Sequence, residues 1–146
     1  MRCDVGAEEE QLVRDFLAAT EGASQDVDAM VALLDEDFVW QINVPLCGIV
    51  KGREAARALI EQQNRRSTGM LEGSELRSIA SNDEGTVFTE RLDVVEIAGT
   101  RVALRITGIH EVRDGKITHW REYFDSLDLA QQVNADPSIL YEGIGA

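Results

Sequence analysis

The first third of the chain carries apolar residues at helical spacing, which predicts two helices before the first strand. The first helix is predicted over residues 8–20, where the apolar stripe consists of Leu12, Val13, Phe16 and Leu17. The second has its stripe at Val27, Met30, Val31 and Leu34, with Ser24 or Asp26 as the capping residue. A strand over 38–44 and a third helix from about Gly52 to Asn64 complete this part.

From residue 72 onward the pattern changes to alternating apolar and polar positions, which is typical of strands. Strands are predicted over 75–81, 86–97, 101–113 and 116–124, joined by hairpin turns such as Asp114-Gly115. A last helix is predicted over about 126–134, before a C-terminal tail at about 136–146. Together these elements predict one α+β domain over residues 1–146. Its long antiparallel strands must curl and twist, and the helices close a deep, cone-shaped pocket.

Two of the predicted strands place charged residues on a face that otherwise carries apolar side chains. Alternate residues of a strand share a face, so Arg91 and Asp93 are neighbours in one strand, and Glu122 lies between Trp120 and Phe124 in another. A charge is costly to bury unless it is paired. We therefore interpret these three residues as the chemical centre of a pocket.

If the three charges meet, one guanidinium lies near two carboxylates, and its planar fork can bind both. In such a site one carboxylate stays ionised while the other holds a proton, which equips the site to donate one proton and accept another. Asn43 is a candidate for orienting a water molecule. The strand order decides whether Glu122 comes within reach, and the sequence does not fix it. The alternative is a structural ion pair or a solvated strand edge.

Three other polar residues are given structural interpretations. His110 lies among apolar residues of its strand and is interpreted as a core histidine with its hydrogen bonds satisfied. His119 is expected to point away from the pocket. Asp125, at the end of the last strand, is expected to cap the following helix.

Composition narrows the range of partners. The net charge of −13 argues against nucleic acid, an anionic membrane surface and a strongly anionic substrate. Two cysteines and two histidines, without a metal-binding spacing, predict neither a disulfide framework nor a metal site. The sequence contains no signal segment and no membrane span, so we expect a cytoplasmic protein without metal or cofactor.

In the segments that carry these charged residues, the chain resembles the limonene-1,2-epoxide hydrolase family, within the SnoaL-like and nuclear-transport-factor-2-like (NTF2-like) superfamily. The resemblance is carried by residues 87–94 (VFTERLDV) and 115–125 (GKITHWREYFD), with weaker similarity at 43–46 and 52–55. It implies an NTF2-like, cystatin-like cone-shaped barrel, a homodimer joined through the outer sheet face, and hydrolysis of a small or medium apolar epoxide to a vicinal diol.

The resemblance also implies roles for individual residues. Asp93 would be the general acid, Arg91 the residue that bridges the two acids, and Glu122 the general base that activates water. Asn43 would help to hold that water, and Gln41 stands where the family has a tyrosine that also binds it. The family has aspartate at the position of Glu122. The substrate pocket would be lined by Leu17, Trp40, Val95, Leu104, Ile106, Trp120 and Phe124.

Two other functions stay open at this point. The first is another enzyme of the superfamily, either an epoxide-opening or polyketide-type cyclase or an isomerase. The second is a binding domain without catalysis, in which the three charges only hold the sheet together.

Overall fold

The computed structural model describes residues 6–20, 26–45, 48–65 and 70–138, the side chains of 70–72 excepted. Its helices are α1 (Ala7–Ala18), α2 (Val27–Ala32), α3 (Arg53–Arg65) and α4 (Ser126–Gln132). Its strands are β1 (Leu34–Gln41), β2 (Ile49–Lys51), β3 (Met70–Ser81), β4 (Thr86–Ile97), β5 (Thr100–Arg113) and β6 (Lys116–Phe124).

The six strands form one curved sheet in the order β2-β1-β6-β5-β4-β3. All neighbouring strands are antiparallel except β1 and β6, which run parallel. The predicted α+β architecture is therefore confirmed, but two of its details are wrong: the sheet is mixed, and it is open rather than a closed barrel. The difference arises because β1 reaches the long antiparallel strands through β2 and α3, and this connection places β1 beside the last strand in the same direction.

The bounds of the elements differ from the predictions around β1 and at the start of β3, which begins at Met70 instead of residue 75. Strand β1 begins at Leu34, which the periodicity had placed in the second helix, and it ends at Gln41 instead of residue 44. Leu34 is buried, as a residue of the helical stripe would be, but it belongs to β1 and pairs with Ile117 of β6. This parallel pairing overrides the local helical pattern. The short strand β2 was not predicted. Asp26 caps α2 by accepting a hydrogen bond from the Ala29 backbone N–H, as expected.

The helices pack against the concave face of the sheet and enclose two groups of apolar side chains. The larger group joins α1, α2 and α3 to β1, and includes Phe16, Leu34, Phe38 and Ile60. The smaller group lies where α4 packs against β5, and consists of Val102, Leu104, Ile106 and Leu129. None of the described helices is long and apolar enough to cross a membrane. The two cysteines and residues 139–146 of the tail lie outside the described residues.

Candidate active site

The charged residues singled out in the sequence come together on the concave face, although they lie on strands that are not neighbours. Arg91 and Asp93 belong to β4 and Glu122 to β6, and β5 runs between them. Two strand spacings separate β4 from β6, about 10 Å, which is a distance that an arginine side chain can bridge. Gly108 of β5 lies directly opposite Glu122 and on the same face.

Gly108 leaves the space through which the arginine passes. A methyl group at this position would lie 2.6 Å from Nη1 of Arg91 and 2.8 Å from Oγ1 of Thr89. Both distances are shorter than real carbon contacts allow. The guanidinium of Arg91 therefore crosses β5 at the one inward-facing position of this strand that has no side chain.

The guanidinium binds both acids at once. Its Nε lies 3.0 Å from each carboxylate oxygen of Asp93, and its Nη2 donates to Oε1 of Glu122. The exposed fractions of the three side chains are 1% for Arg91, 8% for Asp93 and 7% for Glu122. The arrangement is thus a buried cation held between two buried carboxylates, which we call the charged trio.

Each acid of the charged trio has one further partner. The indole Nε1 of Trp40 donates to Oε2 of Glu122 at 3.0 Å, and the Ser74 hydroxyl lies 2.5 Å from Oδ1 of Asp93. Trp40 was expected only in the pocket wall, and Ser74 was not expected at the site. Ser74 faces Asp93 because the two residues pair across β3 and β4, after a register irregularity at Gly73. No signal in the sequence reveals that register.

Burial, two neighbouring charges and two hydrogen bonds all act on the pKa of Glu122. Burial raises the pKa of its carboxyl group, and the negative charge of Asp93 raises it further. The Arg91 charge and the hydrogen bonds from Trp40 and Arg91 lower the pKa, but the net direction is upward from the usual value. A carboxyl group with a raised pKa, beside a second acid, is the arrangement required for sharing one proton between two groups.

A set of aromatic rings forms the wall next to the charged trio. Trp40 and Trp120 stack with their centroids 4.9 Å apart and their planes 3° from parallel, and Phe16 of α1 packs edge-on against Trp120. The central carbon of the Arg91 guanidinium lies 5.4 Å from the centre of the Trp120 ring. His110 stacks on Trp120 at 5.6 Å. The rings therefore fix the orientation of the groups that carry the charges.

His110 is a core residue, as expected, and a backbone group of Val87 lies near its ring. Neither of its ring nitrogens has a partner of good geometry among the described residues. Complete burial lowers the pKa of the imidazole, the nearby Arg91 charge lowers it further, and the result is about 3. The ring is therefore neutral across the physiological range.

The two candidate water-binding residues lie in different environments. The amide of Asn43 makes two hydrogen bonds: its Nδ2 donates to the Ser126 hydroxyl at 2.9 Å, and its Oδ1 accepts from the Phe124 backbone N–H at 3.3 Å. Gln41 is paired with Arg121 where β1 runs beside β6, next to the pair Trp40 and Trp120. The structure thus does not bring Gln41 to the charged trio, because strand alternation directs it to the other face of the sheet.

The expected pocket-wall residues lie in both apolar groups. Leu17, Trp40 and Trp120 belong to the larger one, whereas Val95, Leu104, Ile106 and Phe124 belong to or border the smaller one. Leu104 pairs with Asp93 and Ile106 with Arg91, so the charged trio borders the smaller group directly. Leu104 and Phe124 also line a cavity of about 550 Å³, to which the charged trio does not contribute. The remaining lining residues of this cavity are Arg77, Leu92, Ala103, Arg105, Asp125, Asp128 and Gln132.

Two structural interpretations from the sequence agree with the coordinates. His119 is on the outer face, where it pairs with Glu111 at 3.0 Å. Asp125 caps α4, because its carboxylate accepts hydrogen bonds from the backbone N–H groups of Leu127 and Asp128.

Comparisons with known proteins agree on one family for this chain. Residues 7–135 match the family model described as limonene-1,2-epoxide hydrolase catalytic domain. The chain is 36% identical to epoxide hydrolase EphG of Mycobacterium tuberculosis over 118 residues, which are 80% of this chain and 73% of that protein. A solved structure of an M. tuberculosis limonene-epoxide-hydrolase-like epoxide hydrolase superposes with a TM-score of 0.76. Its sequence identity is 27%, and the match covers 94% of this chain and 98% of that one.

Other solved structures extend the comparison beyond epoxide hydrolases. A proposed polyketide cyclase from Xanthomonas campestris pv. campestris has a TM-score of 0.73 at 26% identity, covering 89% of this chain and 99% of that one. NTF2-like proteins from Burkholderia share the fold at lower identity. The predicted NTF2-like fold is therefore confirmed.

Proposed function

Because the chain belongs to the limonene-1,2-epoxide hydrolase family, we propose that it is a cofactor-independent hydrolase of small or medium apolar epoxides. It adds water to the epoxide in one step and releases a vicinal diol. The observation that carries this proposal is a single guanidinium bonded to two buried carboxylates, Asp93 and Glu122. That arrangement supplies an acid and a base side by side, which is what opening an epoxide with water requires.

In the proposed reaction Asp93 is the general acid and Glu122 the general base. Asp93 gives its proton to the epoxide oxygen while the C–O bond breaks. Glu122 takes a proton from a water molecule as the water oxygen forms its bond to carbon. The proton that leaves Asp93 and the proton gained by Glu122 balance, and the site returns to its starting state when solvent takes the proton from Glu122 and returns one to Asp93.

The hydrogen bonds at the two acids support this assignment of roles. Both oxygens of Glu122 accept from N–H groups, on Arg91 and Trp40, which can only donate. Such partners favour the ionised form, and a base must be ionised. Both oxygens of Asp93 accept from the Nε–H of Arg91, but its second partner is the hydroxyl of Ser74, which can donate or accept. The protonated form of Asp93 is therefore compatible with its surroundings.

The proposed substrate class follows from the side chains beside the charged trio. Leu104 and Ile106 pair with Asp93 and Arg91, and Phe124 follows Glu122 on the same face of β6. A hydrocarbon substituent on the epoxide would pack against these side chains, whereas a charged substituent would lose its hydration there. The apolar walls also keep water scarce, and this strengthens the interaction of the charged trio with charge that develops in the transition state.

The role of Asn43 is proposed to be indirect. Its amide joins the segment after β1 to the end of β6 and the start of α4, and the Val44 backbone N–H donates to the carbonyl of Glu122 at 3.0 Å. This residue therefore holds the backbone that carries the base, instead of binding the attacking water itself.

A homodimer joined through the outer sheet face is part of the proposal. Phe88 of β4 and Tyr123 of β6 are large side chains on the outer face of the sheet, and they are 41% and 39% exposed. A second copy of the chain would cover both. Light scattering at micromolar concentration should give twice the mass of the chain, and Phe88→Lys combined with Tyr123→Lys should give the monomer. A monomeric wild-type protein would contradict this part of the proposal.

The experiment that tests the function uses a panel of apolar epoxides in oxygen-18-labelled water, with mass spectrometry of the products. With enzyme in excess over epoxide, so that each molecule turns over at most once, direct attack by water gives a labelled diol. A covalent ester with a carboxylate would give an unlabelled diol in that first turnover. Label in the first turnover therefore supports the one-step reaction.

Amide variants connect this reaction to the proposed residues. Asp93→Asn and Glu122→Gln should each lower turnover by about 10²- to 10⁴-fold, while circular dichroism shows an intact fold. Tyr123→Phe, on the outer face, is the matched control and should keep full turnover. Unchanged turnover in both amide variants would refute the roles of these acids.

The cyclase alternative has a specific observation in its favour. The chain has Glu122 where the family has aspartate, and one extra methylene moves the base by more than about 1 Å, a displacement that can change which nucleophile is activated. A substrate with its own hydroxyl group distinguishes the two reactions. Cyclisation gives an unlabelled product with the mass of the substrate, whereas hydrolysis adds labelled water. A folded protein that converts no epoxide would favour a binding domain.

A further inference from the structure

Trp40 is held so that its indole N–H faces the proposed base. The Nε1 atom donates to Oε2 of Glu122 at 3.0 Å, and both residues are buried. The parallel stack of Trp40 on Trp120 fixes the plane of the indole, because a ring stacked at 4.9 Å has little freedom to turn. The direction of the donor is thus determined by packing and not only by the hydrogen bond.

The chemical character of this donor sets it apart from the hydroxyl group at Asp93. An indole N–H donates and never accepts, so it stabilises the carboxylate of Glu122 over its protonated form. Asp93 also has a donor-only partner in the Nε–H of Arg91, but its second partner, the Ser74 hydroxyl, donates to Oδ1 in this structure and can also accept. The difference between these two partners can therefore decide which acid keeps the shared proton.

We propose that Trp40 is a positioning residue that keeps Glu122 ionised and thereby assigns the proton of the charged trio to Asp93. This inference rests on the proposed function, since it takes Glu122 as the base. It adds to that reaction a residue that acts through the carboxylate of Glu122.

The groups around Glu122 show why such a donor is needed. The ionisable side chains that face it from the described strands are Arg91 and Asp93 on β4 and His110 on β5, and α1 contributes the apolar Phe16. Burial and the Asp93 charge raise the pKa of Glu122, whereas Arg91 and Trp40 lower it. His110 is neutral and does not compensate. Removal of the Trp40 donor should therefore raise the pKa of Glu122 further.

The test measures kcat/KM against pH in two variants that lack the donor. Trp40→Phe removes the N–H and part of the ring. The second variant carries 3-benzothienylalanine at position 40, which keeps the shape of the bicyclic ring and replaces only the N–H. A hydrogen bond to a charged group is strong enough to move the acidic limb of the profile upward by about one pH unit. A purely structural effect would lower the rate at all pH values without moving this limb.

Tyr123→Phe is the control for the position of the acidic limb. It changes an aromatic residue of the same strand as Glu122, but on the outer face of the sheet, away from the charged trio. The limb should stay where it is in wild type. If the benzothienyl variant also leaves the limb unmoved, Trp40 contributes only packing and the inference is wrong.

A direct readout separates this inference from the proposed function. The carboxyl carbon of Glu122, labelled with ¹³C and identified by its loss in Glu122→Gln, is titrated by NMR in wild type and in both Trp40 variants. A raised midpoint in the variants supports the inference even if no epoxide is converted, and an unmoved midpoint overturns it. Full hydrolysis by Glu122→Gln would instead refute the base role, whatever the titration shows.

Discussion

The Nε atom of Arg91 lies 3.0 Å from both carboxylate oxygens of Asp93, in a part of the protein that solvent hardly reaches. Since the same guanidinium also binds Glu122, one positive charge faces two potential negative charges. With one carboxyl group protonated, the net charge of the charged trio is zero. A buried site favours zero net charge because an unpaired charge loses its hydration. This charge balance leads to the first prediction.

Single and double amide variants should differ sharply in stability. Asp93→Asn or Glu122→Gln alone leaves one cation and one carboxylate, so the free energy of unfolding should fall by about 1–3 kcal/mol. The double variant leaves the Arg91 charge buried without an anion. Its free energy of unfolding should lie about 3–5 kcal/mol below that of the more stable single variant. Urea unfolding at pH 7 measures all three. A double variant whose loss equals the sum of two small single losses would contradict the charge balance.

His110 should make the protein sensitive to acid. Its pKa is about 3 in the folded protein against 6.5 for the free side chain, so the unfolded chain binds more protons between these values. The contribution of His110 to stability is complete above about pH 6.5 and is lost as the pH falls towards 3, to a total of roughly 4 kcal/mol.

The measurement is the difference in unfolding free energy between wild type and His110→Phe from pH 7 to pH 3. This difference should shift in favour of the variant as the pH falls. Glu122 acts in the opposite direction, because its raised pKa makes its contribution decline with rising pH, but it is present in both proteins and cancels. His119→Phe, on the outer face, controls for removal of an imidazole. A difference that does not change with pH would contradict the prediction.

Gly108→Ala should damage the active site more than it damages the fold. The new methyl group would lie 2.6 Å from Nη1 of Arg91 and 3.1 Å from Cε1 of His110, so the guanidinium must move away from Glu122. Overpacking of this kind costs about 1–3 kcal/mol in stability. A displacement of about 1 Å in a catalytic group can lower the rate a hundredfold.

Steady-state kinetics and thermal unfolding of the same preparation measure the two effects of Gly108→Ala. Thr107→Ala, the neighbouring residue on the exposed face of β5, should leave both nearly unchanged. Full activity of Gly108→Ala would show that Arg91 does not need its path across β5.

Asn43 and Ser126 should be coupled in stability. The Asn43 amide donates to the Ser126 hydroxyl at 2.9 Å, and removal of Asn43 also leaves the Phe124 backbone N–H without its partner. Asn43→Ala should therefore cost about 1–3 kcal/mol and Ser126→Ala less. A double-mutant cycle by urea unfolding should give a coupling of at least about 0.5 kcal/mol. A coupling near zero would mean that the bond does not stabilise this junction.

The sequence allowed the sides of individual strands to be predicted, because the side chains of a strand alternate wherever the chain runs. Arg91, Asp93 and Glu122 were placed on inward faces by this rule alone, and the structure brings them together. The bounds of β4 and β6 agree with the prediction as well, since both are long, alternate regularly and are bounded by turns. Local pattern was sufficient in these cases.

What the pattern did not reveal depends on which strands are neighbours. The parallel pairing of β1 with β6 sets Trp40 opposite Trp120, and no local signal in β1 encodes this pairing. The contact of Ser74 with Asp93 depends on an irregular register in β3. The path of Arg91 over Gly108 depends on β5 lying between two strands that carry charges. Each of these is a relationship between segments, which one strand read alone does not contain.

The edge of β5 around Ala103, which β6 does not cover, affects whether two copies of the protein can join their sheets. Pairing with β6 ends at Ile106, and beyond it the backbone N–H and C=O of Ala103 are bound by the side-chain amide of Gln132. A glutamine thus occupies the position that a strand from another molecule would need in order to add to this edge. Gln132→Ala would uncover a hydrogen-bonding template, and such templates are where fibrous aggregates begin.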